Sequence, residues 1–429
     1  QVLSVLSNGA LHIMENGKYK ILMLSDHALS TSGVGTQSRH LINGLIEKGN
    51  WTVRQFGAAV KHDNYDVIKI NDDFIIKPID GFGSKEMLRM ALATEKPDLV
   101  FLFTDPRFYY WLFEMEDEIR QVCPIVYWHV WDNTPYPEFN DPFYEATDLI
   151  NCHSYHTYSQ VKEKWPSKTF FVPHALPPGI FFPLPANVIK SEKAKCLGQN
   201  REDHFVLFWM NRNARRKRPG DLILSFKMFL DDLQEKEGHK KATLLMHTDP
   251  TDREGPNLFA ITEMLGIREN VVFSNQRVDF STVNMLHNIS DVCINVSYAE
   301  GFGLSTLEAM QTATPIIAPK TGGQTRQVVN AYTGEENGVA LPIEMQTLVG
   351  SQTVPYIFED LVSNKTISEA MMKMYSIGPE ERAKLGNKAR EYALSEFGYQ
   401  KTVDLWNDTM IKTISEFSYK KKNYTLTEL

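Results

Sequence analysis

The chain has 429 residues, 42% of them hydrophobic and 23% charged, enough to bury two substantial cores, so length alone makes two domains the first expectation. Its formal charge is −8, with 17 basic and 22 acidic side chains up to residue 190 and 28 and 31 beyond it, and neither half reads as a basic module built for nucleic acid. Four scattered cysteines show no metal spacing or paired framework, no apolar run approaches the roughly 20 residues of a membrane span, and no basic-then-apolar signal opens the chain; a soluble cytoplasmic protein without stable membrane insertion is expected.

Residues 1–18 read as an N-terminal extension. Lys20-Ile-Leu-Met-Leu-Ser-Asp26 is a strand-like apolar run, and Leu41, Leu45 and Ile46 have helical spacing after Gly35. The loop between them, Ser30-Thr-Ser-Gly-Val-Gly-Thr-Gln-Ser38, carries Gly33 and Gly35, which permit close backbone approach at a helix N-terminus suited to a phosphate; an ordinary flexible turn is the alternative. Further strands are predicted at 66–70, 74–76, 99–103, 125–128, 148–151 and 169–172, with helical patterns at 84–94 and 160–164 among them. Such alternation argues for a doubly wound parallel sheet.

Tyr127-Trp-His-Val-Trp-Asp-Asn133 places His129 where a strand leaves the sheet, as a site residue or as a packed one. The aromatics at 108–113 with Trp128, Trp131 and Tyr136 read as core, or as a stacking surface for a sugar or a base. His174 reads as structural, close to a hinge. The polar stretch 186–203 is expected to link domain 19–185 to domain 204–397.

In the second half, strands at 205–209, 242–246, 271–274 and 291–296 alternate with helices at 219–233, 258–265 and 283–288. After a strand at 315–318 come helices at 357–375, 379–397 and 399–417, and residues 398–429 form a closing helix and tail. The run Lys420-Lys-Lys422 in that tail reads as a solvated end or as a contact for an anionic surface. Asn211-Arg-Asn-Ala-Arg-Arg-Lys-Arg218 follows the first of these strands, and five of its last seven positions are cationic. Fixed cations there would stabilise a departing diphosphate without a metal; a nucleic-acid-binding or solvated basic loop is the bland alternative.

The most informative segment is Ser297-Tyr-Ala-Glu-Gly-Phe-Gly-Leu-Ser-Thr-Leu-Glu-Ala-Met310, a glycine turn between a buried strand and a helix. Backbone N–H groups from Gly301 to Leu304 stand free at a helix start, where a phosphate is favoured. Glu300 and Glu308 flank the turn, and carboxylates beside a phosphate suit hydroxyls of an attached sugar and ribose.

This segment, with Thr314-Pro-Ile-Ile-Ala-Pro319 and Gly322-Gly323 after it, resembles the donor-site signature of retaining family-4 glycosyltransferases. The resemblance implies an α/β protein of the GT-B fold, two Rossmann-like doubly wound domains facing across a cleft, with the last helix returning to the first domain. It implies a nucleoside-diphosphate sugar donor, UDP-linked by expectation, with no cofactor and no metal. Glu300, His129, Arg212 and Lys217 would be the catalytic set, His129 orienting or stabilising the sugar rather than attacking it. Gly33, Gly35, Arg218, Val278, Gly301, Phe302, Gly303, Leu304 and Glu308 would hold the donor. The implied acceptor is a glycan or glycolipid. The Ser-Gly-Val-Gly-Thr-Gln loop and the Trp-His-Val-Trp-Asp-Asn-Thr-Pro segment also look like glycosyltransferases of tailed phages, some of whose relatives modify hydroxymethylated DNA bases; that reading would place the protein in a host cytoplasm with DNA as acceptor. A sugar-nucleotide epimerase and a noncatalytic sugar-nucleotide binder stay open beside it.

Overall fold

The computed structural model describes residues 17–419, apart from 60 and 62. The expected N-terminal extension up to residue 16 and the lysine run 420–422 lie outside the described residues. The first sheet contains β1 (Tyr19–Asp26), β2 (Trp51–Ala58), β3 (Ile68–Lys69), β4 (Phe74–Pro78), β5 (Leu99–Phe103), β6 (Ile125–His129), β7 (Leu149–Cys152) and β8 (Thr169–Phe171), ordered β3-β4-β2-β1-β5-β6-β7-β8. Its strands are parallel except for the antiparallel β3–β4 pair at one edge. The second sheet contains β9 (Phe205–Met210), β10 (Ala242–His247), β11 (Val271–Ser274), β12 (Val292–Ile294), β13 (Ile316–Pro319) and β14 (Gly338–Leu341), ordered β11-β10-β9-β12-β13-β14 and parallel throughout.

Both sheets are covered on both faces. Along β1, Leu22 and Leu24 pack with Val100, Leu102 and Ile125, while Ile21 and Met23 pack on the opposite side with Leu99, Phe101 and Trp128. A strand buried on both faces needs an unbroken apolar run, which is what made Lys20–Asp26 legible. Strand order reverses between β1 and β5 in one sheet and between β9 and β12 in the other. The loops at the carboxyl ends of these strands are where open α/β sheets bind ligands.

The helix Tyr399–Glu416 contributes Trp406 and Met410 to the core of the first sheet, and Trp51 Nε1 donates to Asn407 Oδ1 at 2.8 Å. Thr402 Oγ1 donates to the Pro173 carbonyl at 3.0 Å, tying the same helix to the chain beyond β8.

Three local expectations are corrected. The stretch 186–203 holds the helix Ala186–Leu197, whose Leu197 packs with Val206 and Phe208; its polar exposed face had hidden a narrow apolar one. The helix expected over 357–375 is a strand and then a helix: β15 (Met345–Val349) pairs antiparallel with β16 (Ile357–Leu361), and the helix Asn364–Ser376 begins only after Ser363, whose Oγ accepts from Thr366 N–H at 3.2 Å. Tertiary pairing overrides the local pattern there. The strand β2, not foreseen, occupies the interior of the first sheet between β1 and β4, with Trp51 and Val53 fully buried.

Candidate functional site

β12 stops at Ile294 because Asn295 turns the chain, its Oδ1 accepting from Ser297 N–H at 2.9 Å. The segment Glu300-Gly-Phe-Gly303 then crosses the end of the sheet before the helix Leu304–Gln311 begins. Gly303 sits at φ +88°, a conformation that glycine adopts without strain. Phe302 is a buried wedge, its ring edge-on to His174 at 5.1 Å and to Phe397 at 5.4 Å. A second glycine pair holds the turn from below. Gly323 N–H donates to the carbonyls of both Glu300 and Gly301 at 3.1 Å.

A Cβ on Gly323 would run into the Gly301 carbonyl and stand 2.8 Å from Phe302 Cα. Both neighbours are main chain and cannot rotate aside. Gly323→Ala is therefore expected to cost about 1–3 kcal/mol of stability and to displace the Glu300–Gly303 turn. Chemical denaturation and nucleotide titration measure the two effects; an unchanged denaturation midpoint would show that the contact between the loops carries no strain.

The charged centre of the site is built by two loops of the second sheet. Arg215–Lys217 form a single helical turn after β9, which directs the Lys217 ammonium onto Glu300 Oε2, where Asn295 Nδ2 also donates at 3.3 Å. Burial would by itself raise the Glu300 pKa. Lys217 and Arg216 outweigh it and hold the carboxyl below its ordinary value. Arg216 Nη1 donates to the Ala299 carbonyl at 3.3 Å and lies 3.5 Å from Asp132 Oδ2, which comes from the first sheet. Burial raises the Asp132 pKa and the nearby Glu300 charge adds to this, against the opposing pull of Arg216 and Lys217.

His153, the first residue beyond β7, faces the same point. A Cβ on Gly301 would fall 2.7 Å from His153 Nε2 and closer still to Asp132 Oδ1, so the absence of a side chain at 301 is what lets the two halves meet. Burial lowers the His153 pKa to about 3, and the ring is neutral at physiological pH.

Beside this centre lies a cavity of about 450 Å³ between the halves, lined by Gly33, Arg39, His247, Val278, Leu304 and Glu308 among others. The glycine loop closes onto the turn: a Cβ on Gly33 would touch Leu304 Cδ1 at 3.4 Å. Gly35 is packed against Ser30, the His27 carbonyl and Ser32, with Ser32 Oγ accepting from Gly35 N–H at 3.0 Å as the cap of the helix Gly33–Glu47. Glu308 is fixed by His287 Nε2 at 3.0 Å and reaches the cavity from its floor.

Five residues singled out in the sequence are not gathered at this centre. Arg212 is largely exposed and paired with Asp252 at 2.9 Å, outside the Arg215–Lys217 turn. Arg218 is buried in the left-handed conformation and donates to Asp221 at 3.0 Å and to the Val362 carbonyl at 2.9 Å, so it anchors the turn rather than facing the cavity. His129 is wholly buried with Nε2 2.6 Å from the Tyr144 hydroxyl, and burial pushes its pKa far down. It pairs in register with Cys152 inside the sheet; the residue that emerges is the next one along the neighbouring strand, His153. Trp128 is a core residue, stacked on Phe103 at 3.9 Å, and Trp131 is nearly buried beneath Arg107. The residues that sequence reading missed are Asp132, His153, Asn295 and Arg216. Asp132 and His153 each follow a parallel strand within three positions, a signal available in the sequence once those strands were placed.

Residues 191–342 match the family model of glycosyl transferases group 1. A D-inositol 3-phosphate glycosyltransferase of Corynebacterium diphtheriae is 36% identical over 145 residues, 33% of each chain, and the match spans about a third of the length of the curated relatives. Over the whole fold, sucrose-phosphate synthase from Thermosynechococcus elongatus superposes with a TM-score of 0.69 at 17% identity, covering 92% of this chain and 99% of that one. The Anabaena protein HepE in complex with UDP and glucose gives 0.65 at 16% identity, covering 92% and 100%. The chain has the GT-B fold: two Rossmann-like domains, each built on one of the parallel sheets.

Proposed function

We propose that the protein is a retaining glycosyltransferase that moves a sugar from a nucleoside diphosphate, UDP in the first instance, to a hydroxyl of a glycan or glycolipid. The observation that carries this reading is the buried Lys217–Glu300 pair, set against Asp132 and His153, at one end of the glycine turn whose other end, at Leu304 and Glu308, lines the cavity. Glu300 neutralises Lys217. An incoming diphosphate takes over the ammonium, assisted by Arg216 and by the free amides at Gly301–Leu304, and releases Glu300 to accept from sugar hydroxyls. Glu308, on the opposite side of the turn, suits the ribose. Neutral His153 and Asp132 border the sugar, where they orient its hydroxyls. The acceptor oxygen bonds to the anomeric carbon on the face from which the phosphate oxygen leaves, and that oxygen takes the acceptor proton. No enzyme nucleophile is needed. Lys217 and Arg216 bear the charge that develops on the leaving group, the role a divalent metal would otherwise fill.

The acidic balance of the first domain, 17 basic against 22 acidic side chains up to residue 190, favours an uncharged acceptor over a duplex, whose binding rests on phosphate neutralisation. The burial of Trp128 and Trp131 removes two of the aromatic faces that base stacking would use. Radiolabelled UDP-sugars offered with oligosaccharides, lipid acceptors, unmodified DNA and hydroxymethylcytosine DNA, each with and without chelator, test the reading. Label on saccharide or lipid, undiminished by chelator, is expected. Label on hydroxymethylated DNA alone would overturn the acceptor, epimerised donor would overturn the reaction, and magnesium-reversible loss under chelation would overturn metal independence.

A further inference from the structure

The hairpin of β15 and β16 lies just beyond the family-matched segment, and nothing in the reaction described above uses it. Its two strands are unequal. β15 is solvent-facing, with Met345 and Leu348 exposed, whereas β16 is inserted among the loops of the site. Successive residues of β16 reach four different segments. Phe358 N–H donates to the Thr134 carbonyl at 2.7 Å, and Asn133 Nδ2 donates to the Phe358 carbonyl at 2.8 Å. Glu359 accepts from Arg215. Asp360 N–H donates to the Tyr298 carbonyl at 2.9 Å, and Thr321 Oγ1 donates to Asp360 Oδ2 at 2.7 Å.

Each of these contacts falls one or two residues from a member of the site. Asn133 and Thr134 follow Asp132, Arg215 precedes Arg216 and Lys217, Tyr298 precedes Glu300, and Thr321 precedes the Gly322-Gly323 pair that supports the turn. Three of the four segments belong to the second domain and one to the first. Phe139 and Tyr356 meet edge-on at 5.3 Å beside the cross-domain bonds. We infer that the β16 strand is a cross-domain clasp that positions Asp132 against Gly301 and Glu300, with Asn133 and the Phe358 amide as its positioning groups. The inference rests on the proposed transferase reading for its kinetic consequence. Its structural consequence stands independently.

The geometry offers a selective test. Phe358 lies opposite Leu348 in the hairpin, but its N–H points to Thr134, so Phe358→Pro removes the bond across the cleft and leaves the β15–β16 ladder its own hydrogen bonds. Asn133→Ala removes the second bond without touching the hairpin backbone. Nucleotide contacts are remote from both, since neither residue lines the cavity of Glu308 and Val278. Each variant is compared with the full-length wild-type chain by thermal melting, UDP titration, turnover, and hydrogen exchange of the 130–136 segment. Faster exchange in that segment, a fall in kcat of roughly 10- to 100-fold from misplacement of Asp132, and UDP affinity within a few-fold of wild type are expected. Unchanged exchange in both variants would overturn the clasp, as would loss of UDP affinity in step with turnover. If the wild-type protein transfers no sugar, the transferase reading fails, and exchange decides the clasp alone.

Discussion

Glu300→Ala is expected to abolish sugar transfer while UDP binding is kept or strengthened. The carboxylate stands on the side of the turn that faces Asp132 and His153, whereas the cavity proposed for the nucleoside is lined by Glu308, Val278 and His247. Stability and binding should become linked in the variant. Lys217, nine-tenths buried, loses its only carboxylate partner among the described residues, and stranding one member of a buried pair costs about 3–5 kcal/mol. A bound diphosphate supplies the missing charge, so UDP should raise the melting temperature of Glu300→Ala by more than it raises that of wild type. Glu308→Ala should do the reverse, weakening UDP binding and releasing His287 from its partner. Turnover of Glu300→Ala within tenfold of wild type would remove Glu300 from the chemistry, and an equal UDP-induced shift in both proteins would show that the diphosphate does not meet Lys217.

Acid should destabilise the protein well before its carboxylates titrate. Burial lowers the pKa of His40 to about 4 and of His153 to about 3, and it pushes His129 and His174 well below their ordinary value. For each of these the unfolded chain takes up a proton first as pH falls. Their contribution is therefore complete above about pH 6.5 and is lost progressively below it, at about 1.4 kcal/mol per pH unit for each histidine kept neutral. The lowered pKa of Glu300 adds a further loss only below about pH 4.5. Asp26 and Asp132, both raised by burial, act in the opposite sense at that acidic end. Urea titrations between pH 7 and 4 should show a steadily falling midpoint. His174→Phe, which keeps a ring among Phe103, Trp128 and Phe302, should flatten the decline by about one histidine's worth. A midpoint that holds constant from pH 6.5 to 5 would mean that these rings reach water in the native state.

The sequence revealed those features whose physics is local. Two glycine turns, each between an apolar run and a helical pattern, define strand-loop-helix units, and a cation-rich loop follows β9. Lys217, Glu300 and Glu308 were legible because their neighbours along the chain announce them. Arg212 and Arg218 were drawn in by the same loop, and composition has no means of telling which of five cations turns inward; Asp252 and the Val362 carbonyl decide that, from 40 and 144 residues away. The histidine shows the same limit. A one-residue difference in where a strand ends puts His129 in the sheet core and, in the adjoining strand, sets buried His153 against Gly301 where the two halves meet.

By itself, then, the chain determined that there are alternating strands and helices buried on both faces and that a phosphate-friendly turn stands at the end of one strand, because periodicity and glycine placement act within a few residues. The tertiary structure alone decided which side chains meet there. Asp132 and His153, each more than a hundred residues from Gly301, reach it only because two sheets present their carboxyl ends to each other, and β16 became a strand rather than part of a helix only because β15 and Thr134 supply partners for its backbone.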